Sequence, residues 1–310
     1  MEIQKELVRS REATSVALGY FDGLHRGHRA VIGEAVENGI RCGLVPAVFT
    51  LKQSPRVILR GEKSNNIITI EEKLELLEKM GVQRVYLIDF TTIKDITAES
   101  FVRDVIVDRF NARHVSCGFN YHFGAGAAGS GEHLEGMCRQ YGITVYAKKR
   151  IESGSLPISS TRIRGCIVRG DIPSASEMLG RTYGFSLPVV HGRQLGRSIG
   201  IPTINQMFPD ELVCPPFGVY ASRVCVNGKY YCGVTNIGVK PTVGSDGVVI
   251  ETWMPDYKGR ELYGEKTDVR LLKAIREEKK FSGLSQLKDA IISDSEKAKD
   301  IYQSLYPEEY

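Results

Sequence analysis

A doubly wound α/β domain followed by an antiparallel β-barrel is the fold class this sequence predicts. In the first half, continuous apolar runs alternate with amphipathic helical stretches, the pattern of a parallel sheet covered on both faces. In the second half, short strand-like runs follow one another without intervening helices, as in a barrel. The length, 310 residues, suits two domains of ordinary size.

The first strand is expected at 15–19, with a helix over about 27–38. A second strand covers 43–49, and the helix at 69–80 opens with a capping box from Thr69 to Glu72. A third strand at 84–88 precedes a helix with Phe101, Val102, Val105, Ile106 and Phe110 on one face. Residues 114–117 and 144–146 are further strands, and a helix ends at Leu179-Gly180. The boundary is placed after residue 184, giving domains 1–184 and 185–310.

Beyond it, 188–190, 219–226, 230–235, 248–254 and 267–272 read as strands. Asn227-Gly228 signals a hairpin, because both positions of a type I′ turn need positive φ. Leu284, Leu287, Ile291, Ala298 and Ile301 recur at helical spacing, a final helix for the barrel to bury.

Composition narrows the partners. A net charge of +4 with no local basic cluster argues against nucleic acid, and suits phosphate-bearing small molecules. Glu2, Lys5, Glu6, Arg9, Arg11 and Glu12 open the chain with no apolar run behind them, so no signal peptide is expected. The longer uncharged stretches are rich in glycine and polar groups, so no membrane span is expected either. Seven scattered cysteines without a CxxC pair favour reduced thiols and a cytoplasmic location. Oligomeric state is left open.

Six stretches carry candidate chemistry, one of them a glycine-punctuated loop at 236–244. Gly19-Tyr20-Phe21-Asp22-Gly23-Leu24-His25-Arg26-Gly27-His28 joins the first strand to the first helix. Backbone N–H groups and the helix dipole favour an anion there, and two imidazoles flank a glycine that admits close approach. Incidental histidines in a glycine-rich turn are the plain alternative. In Ser159-Ser160-Thr161-Arg162-Ile163-Arg164, hydroxyls and guanidinium groups suit a departing pyrophosphate, although a serine cap with solvated arginines reads equally well. Gly118–Gly126 crowds Asn120, Tyr121, His122 and Phe123 around glycines, as a loop against a planar ligand or a tight connection. Thr203 and Asn205 alternate along an extended strand after Gly192-Arg193 and Gly196-Arg197, so both oxygens face one way. Neutral oxygens of this kind suit Mg²⁺ already bound by ATP, and a capping turn is the alternative. Glu251, in an otherwise apolar and aromatic strand, is either a surface position or a base.

Together these residues resemble the bifunctional prokaryotic riboflavin kinase/FAD synthetase family, with every signature in order from about residue 15 to 302. GxFDGxHxGH corresponds to Gly19–His28, SSTxxR to Ser159–Arg164, GxPTxN to Gly200–Asn205, and the catalytic glutamate to Glu251. The resemblance implies a nucleotidylyltransferase-type, Rossmann-like N-terminal domain. It also implies a six-stranded flavokinase barrel with a C-terminal helix. Riboflavin is phosphorylated by ATP to FMN, and FMN is adenylylated by a second ATP to FAD.

The resemblance further assigns catalysis to Glu251, His25, His28 and Arg164. ATP and phosphate fall to Gly19, Phe21, Asp22, Gly23, Gly27, Ser159, Ser160, Thr161, Gly192, Arg193, Gly196 and Arg197. Flavin falls to Asn120, Phe123 and Arg276, and Mg²⁺ to Thr203 and Asn205. Two departures stand out. The family's Phe-x-Pro-x-Pro run is here Phe49-Thr50-Leu51-Lys52-Gln53-Ser54-Pro55, and Pro255 should end the Glu251 strand or place it at an edge. The rivals are an enzyme retaining one of the two activities, a cytidylyltransferase-like enzyme and a non-catalytic flavin- or RNA-binding regulator. A regulator would need a basic strip that the sequence lacks, and a cytidylyltransferase would not need the PTxN barrel.

Overall fold

The computed structural model describes residues 1–192, 195–239 and 247–309. The chain divides into two compact units, Met1–Ser160 and Thr161–Tyr310.

The first unit is built on a six-stranded parallel sheet. Its strands are β1 (Glu2–Gln4), β2 (Thr14–Leu18), β3 (Val45–Leu51), β4 (Arg84–Ile88), β5 (Ala112–Gly118) and, after the short pair β6 (His122–Phe123) and β7 (Gly129–Ser130), β8 (Thr144–Lys148). The order is β1-β4-β3-β2-β5-β8, so the chain winds outward from β2 in both directions. Such a reversal opens a crevice at the carboxyl ends of the two strands beside it, here β2 and β5. Helices α1 (Arg26–Cys42), α2 (Pro55–Arg60), α3 (Ile70–Lys79), α4 (Ala98–Ser100) and α5 (Gly131–Arg139) connect the strands. A small hairpin, β9 (Glu152–Ser153) with β10 (Leu156–Pro157), ends the unit.

Two elements differ from expectation. The polar Glu2-Ile3-Gln4 forms edge strand β1, registered on Arg84–Tyr86. Its partner Arg84 explains this, donating to Glu2 Oε2 (2.7 Å), Ser10 Oγ (2.6 Å) and Glu12 Oε2 (3.0 Å). Residues Phe101–Arg109 wind as a π-helix rather than an α-helix, and Phe110 N–H reaches the Val105 carbonyl at 2.8 Å. The wider turn keeps Phe101, Val105, Ile106 and Phe110, four or five apart, in the core formed with Phe49 and Tyr86.

The second unit opens with α6 (Ser160–Val168), whose first residue still belongs to the first unit, and α7 (Ile172–Leu179). Helix α7 buries Ile172, Ala175, Met178 and Leu179 and packs on the barrel. The barrel strands are β11 (Gly184–Pro188), β12 (Thr203–Met207), β13 (Gly218–Val226), β14 (Lys229–Val239), β15 (Val248–Trp253) and β16 (Lys266–Glu277). The short helix α8 (Leu195–Ser198) precedes β12, and α9 (Leu284–Leu305) follows the barrel.

All pairings are antiparallel in the order β11-β16-β13-β14-β15-β12. The seam between β11 and β12 is drawn together by the buried Gln206, whose Nε2 donates to Leu187 O (2.8 Å) and Thr267 O (2.9 Å). Pro188, expected to begin the first strand, instead ends it, since proline has no N–H to continue the ladder. Asn227 and Gly228 both take positive φ, 51° and 79°, and close the expected hairpin. β15 stops two residues before Pro255, in the sheet interior. Helix α9 packs through its second half, with Ala298 and Tyr302 buried against Val219, Ala221 and Val234, while Leu284 is 52% exposed.

Candidate active sites

The first site begins where β2 ends. Gly19 N–H still donates to Phe49 O (3.1 Å), and the chain then turns sharply with Phe21 at φ 53° and Gly23 at φ 79°. A Cβ on Gly23 would lie 2.9 Å from the Ile67 side chain, so the tight turn requires glycine there. Asp22 is buried and accepts from Ile67 N–H (2.9 Å), which ties the turn to the segment before α3. His25 caps α1, its Nδ1 accepting from His28 N–H at 3.2 Å. An accepting Nδ1 places the ring proton of neutral His25 on Nε2. The two imidazoles stack 3.5 Å apart, and Phe21 meets His28 edge-on at 5.3 Å. Both rings therefore stand at the start of a 17-residue helix, where an anion is favoured.

Ser160 joins this turn from far along the chain, its Oγ donating to Asp22 O at 2.9 Å. The serine signature and the histidine signature are thus tied by a hydrogen bond across 138 residues. Thr161 and Arg164 follow on α6, and Ser159 immediately precedes it.

Tyr20 carries anchors that its sequence does not announce. Its carbonyl accepts from Thr50 Oγ1 (2.8 Å) and Lys73 Nζ (3.0 Å), and its hydroxyl donates to Asn66 Oδ1 (2.7 Å). Thr50 belongs to the altered Phe49–Pro55 run, where Ser54 also caps α2 by accepting from Arg56 N–H (3.3 Å). Lys73 is 3% exposed, and its ammonium lies 4.5 Å from the Tyr20 ring centroid. Burial lowers its pKa to about 8, with the Asp22 carboxylate pulling the other way. Lys73 was hidden by the acidic residues around it, Glu71, Glu72 and Glu75. The usable signal was its place three residues after Ile70 and four before Leu77, on the apolar stripe of α3.

The loop after β5 separates the two flavin candidates of this unit. Asn120 is exposed, whereas Phe123 is 6% exposed and packs on Tyr121 (5.9 Å) and Phe101 (5.5 Å). Phe123 is part of the core, and a Cβ on Gly129 would lie 2.6 Å from its ring.

The second site is a row across the barrel. Asn205 on β12 pairs with Glu251 on β15, which pairs with Asn236 on β14. The row continues through Val219 on β13 to Arg276 on β16. Thr203, two residues from Asn205, lies on the same face. The backbone before α8 closes over this end: Val190 N–H donates to Asn205 O (2.7 Å), and a Cβ on Gly192 would lie 2.6 Å from the Asn205 amide. Gly196 is equally constrained, by the Ile201 carbonyl, with Thr203 Oγ1 near it.

Arg197 is exposed and donates to Glu261 Oε1 (2.6 Å) and the Tyr263 hydroxyl (3.2 Å), while His191 stacks on Tyr263 at 3.8 Å. Arg276 is held by Asp294 of α9 (Nε to Oδ2, 2.8 Å) and lies 5.5 Å from the Phe281 ring. Arg193 lies outside the described residues. Asn236, expected to open a glycine-punctuated loop, lies instead on β14 opposite Glu251, and the rest of that run from 240 lies outside the described residues.

Family models described as FAD synthetase and riboflavin kinase match residues 7–162 and 179–302. Among curated proteins, the bifunctional riboflavin kinase/FMN adenylyltransferase of Bacillus subtilis is 33% identical over 96% of this chain and 96% of its own length. The same-named protein of Escherichia coli is 33% identical, covering 96% of this chain and 95% of its own length. A crystal structure described as a macrolide-efflux protein from Streptococcus pneumoniae is similar with a TM-score of 0.85 at 29% identity, covering 96% of this chain and 98% of that one. Among the described residues, no helix is long and apolar enough to cross a membrane.

Proposed function

The chain belongs to the bifunctional riboflavin kinase/FMN adenylyltransferase family, and from that premise we propose which residues carry each reaction. The enzyme phosphorylates riboflavin with ATP to FMN, then adenylylates FMN with ATP to FAD, releasing pyrophosphate.

The kinase step is assigned to the Asn205–Glu251–Asn236 row, and the direct pairing of Asn205 with Glu251 is the observation that carries it. Glu251 accepts the proton of the ribityl 5′-hydroxyl while that oxygen attacks the γ-phosphorus and ADP leaves. A carboxylate is a weak base for an alcohol, so alignment and charge neutralisation supply most of the rate. Thr203 and Asn205 fit Mg²⁺ brought by ATP: they offer neutral oxygens on one face, and Gly192 lies so close to the Asn205 amide that a side chain there would clash with it. Bound there, the ion would neutralise phosphate charge. Gly192, Gly196, Arg197 and Arg193 are proposed for the nucleotide. Phosphate binding by Arg197 would exchange its Glu261 partner for the ligand. Arg276, fixed by Asp294, is proposed for flavin.

The adenylyl step is assigned to the Gly19–His28 turn, carried by the Ser160–Asp22 hydrogen bond that joins two distant signatures. The FMN phosphate oxygen attacks the α-phosphorus and pyrophosphate departs. This nucleophile is already an anion and needs no base. His25 and His28 are therefore read as donors to the phosphates, with Ser160 and Arg164 neutralising the leaving group. Asn120 is proposed to contact FMN, with Phe123 as the floor of its loop. None of the seven cysteines forms a disulfide, which supports a reducing, cytoplasmic setting.

Glu251→Ala and Asn205→Ala are expected to abolish FMN formation and leave the conversion of added FMN to FAD near the parent rate. Chromatography of the flavins after incubation with ATP and Mg²⁺ reads both. Loss of both activities in a folded variant would overturn the assignment.

A further inference from the structure

Lys73 is an ammonium on the apolar stripe of α3, 3% exposed, meeting a carbonyl and a ring face. Keeping a charge in such a place costs free energy that an uncharged side chain of similar length would avoid. The carbonyl it holds belongs to Tyr20, at the head of the turn whose far end is the stacked His25–His28 pair. Thr50 already donates to the same carbonyl, so a hydrogen bond alone does not require a lysine. What only the lysine adds is charge.

We propose that Lys73 is a positioning residue for adenylyl transfer, its charged ammonium fixing the Tyr20 carbonyl and setting positive charge behind the turn that receives the ATP polyphosphate. The inference rests on the assignment of the Gly19–His28 turn to ATP.

Burial brings the ammonium to a pKa of about 8, so it is charged at neutral pH and discharges as pH rises through that value. The Asp22 carboxylate acts on Lys73, and the turn itself also carries the Tyr20 phenol, the Arg26 guanidinium and the imidazoles of His25 and His28. All of them remain in a Lys73 variant, so an alkaline limb that disappears with Lys73 belongs to Lys73.

The test follows kcat/KM for ATP in the FMN-to-FAD reaction from about pH 6.5 to about pH 10, because that ratio reports the free enzyme. FMN formation by the same protein serves as the reference. The full-length protein is compared with Lys73→Arg, Lys73→Gln and His28→Ala. FAD formation by the parent should fall relative to FMN formation above about pH 8. Lys73→Arg should remain near the parent rate and lose that limb, since arginine stays protonated. Lys73→Gln should be about tenfold slower at neutral pH and equally without the limb.

A limb that persists in either Lys73 variant, a parent without one, or a Lys73→Gln at full rate would overturn the proposal. Should Lys73→Gln fail to fold, the parent and Lys73→Arg profiles decide alone. His28→Ala separates the premise from the inference. If it makes FAD normally, the turn assignment itself falls and Lys73 with it. If it is inactive while the Lys73 profiles match the parent, only the Lys73 role falls.

Discussion

Single residues in this enzyme take their meaning from what surrounds them. His28 and His114 are both histidines near buried structure, yet they serve different ends. His28 stands at the start of α1, stacked on His25, where an anion is favoured. His114 is buried inside the first unit, its Nδ1 3.0 Å from Ser15 Oγ and its Nε2 4.0 Å from Glu34. Burial, and secondarily the Arg41 charge, lower its pKa to about 4 from an ordinary 6.5. The unfolded chain therefore takes up this proton below about pH 6.5, and the folded chain only near pH 4. His114 costs nothing above pH 6.5, and stability falls between pH 6.5 and 4 by on the order of 1 kcal/mol per pH unit. Denaturant melts across that range should show the slope in the parent and a shallower one in His114→Gln. Equal slopes would contradict the account.

At the scale of elements, the barrel seam links stability to the candidate kinase site. Gln206 bridges β11 and β16 through two buried hydrogen bonds, while its neighbour Asn205 faces Glu251. Gln206→Ala should destabilise the second unit by about 1–3 kcal/mol, because two buried carbonyls lose their donor. FMN formation should then fail at a lower temperature than FMN-to-FAD conversion, and thermal inactivation followed for both reactions checks this.

The elements also show what the sequence makes legible. Strands such as Arg84–Ile88 and the Asn227-Gly228 hairpin are readable because apolar runs and turn chemistry are local. Strand β1 is not, since its three residues pair only because Arg84 gathers Glu2, Ser10 and Glu12. The π-helix is equally hidden, because the same apolar residues suit α spacing. For the sites, the motifs at Gly19–His28 and Gly200–Asn205 are visible as runs. Lys73, Thr50 and Asn236 act through contacts or register with residues 15 or more positions away, which no local pattern displays.

At the scale of the whole molecule, two reactions share one chain of 310 residues, each with its own candidate site. The Glu251 row lies within the second unit, and the Gly19–His28 turn with Ser160 within the first. Defects confined to one site should therefore complement each other through released FMN. A mixture of Glu251→Ala and His28→Ala proteins should convert riboflavin to FAD, although neither does so alone.

The most direct measurement is the flavin product profile of Glu251→Ala, supplied with ATP and Mg²⁺ and given riboflavin or FMN. Unchanged riboflavin is expected in the first case, and FAD at close to the parent rate in the second. FMN formed from riboflavin, or a folded variant unable to convert FMN, would contradict that expectation.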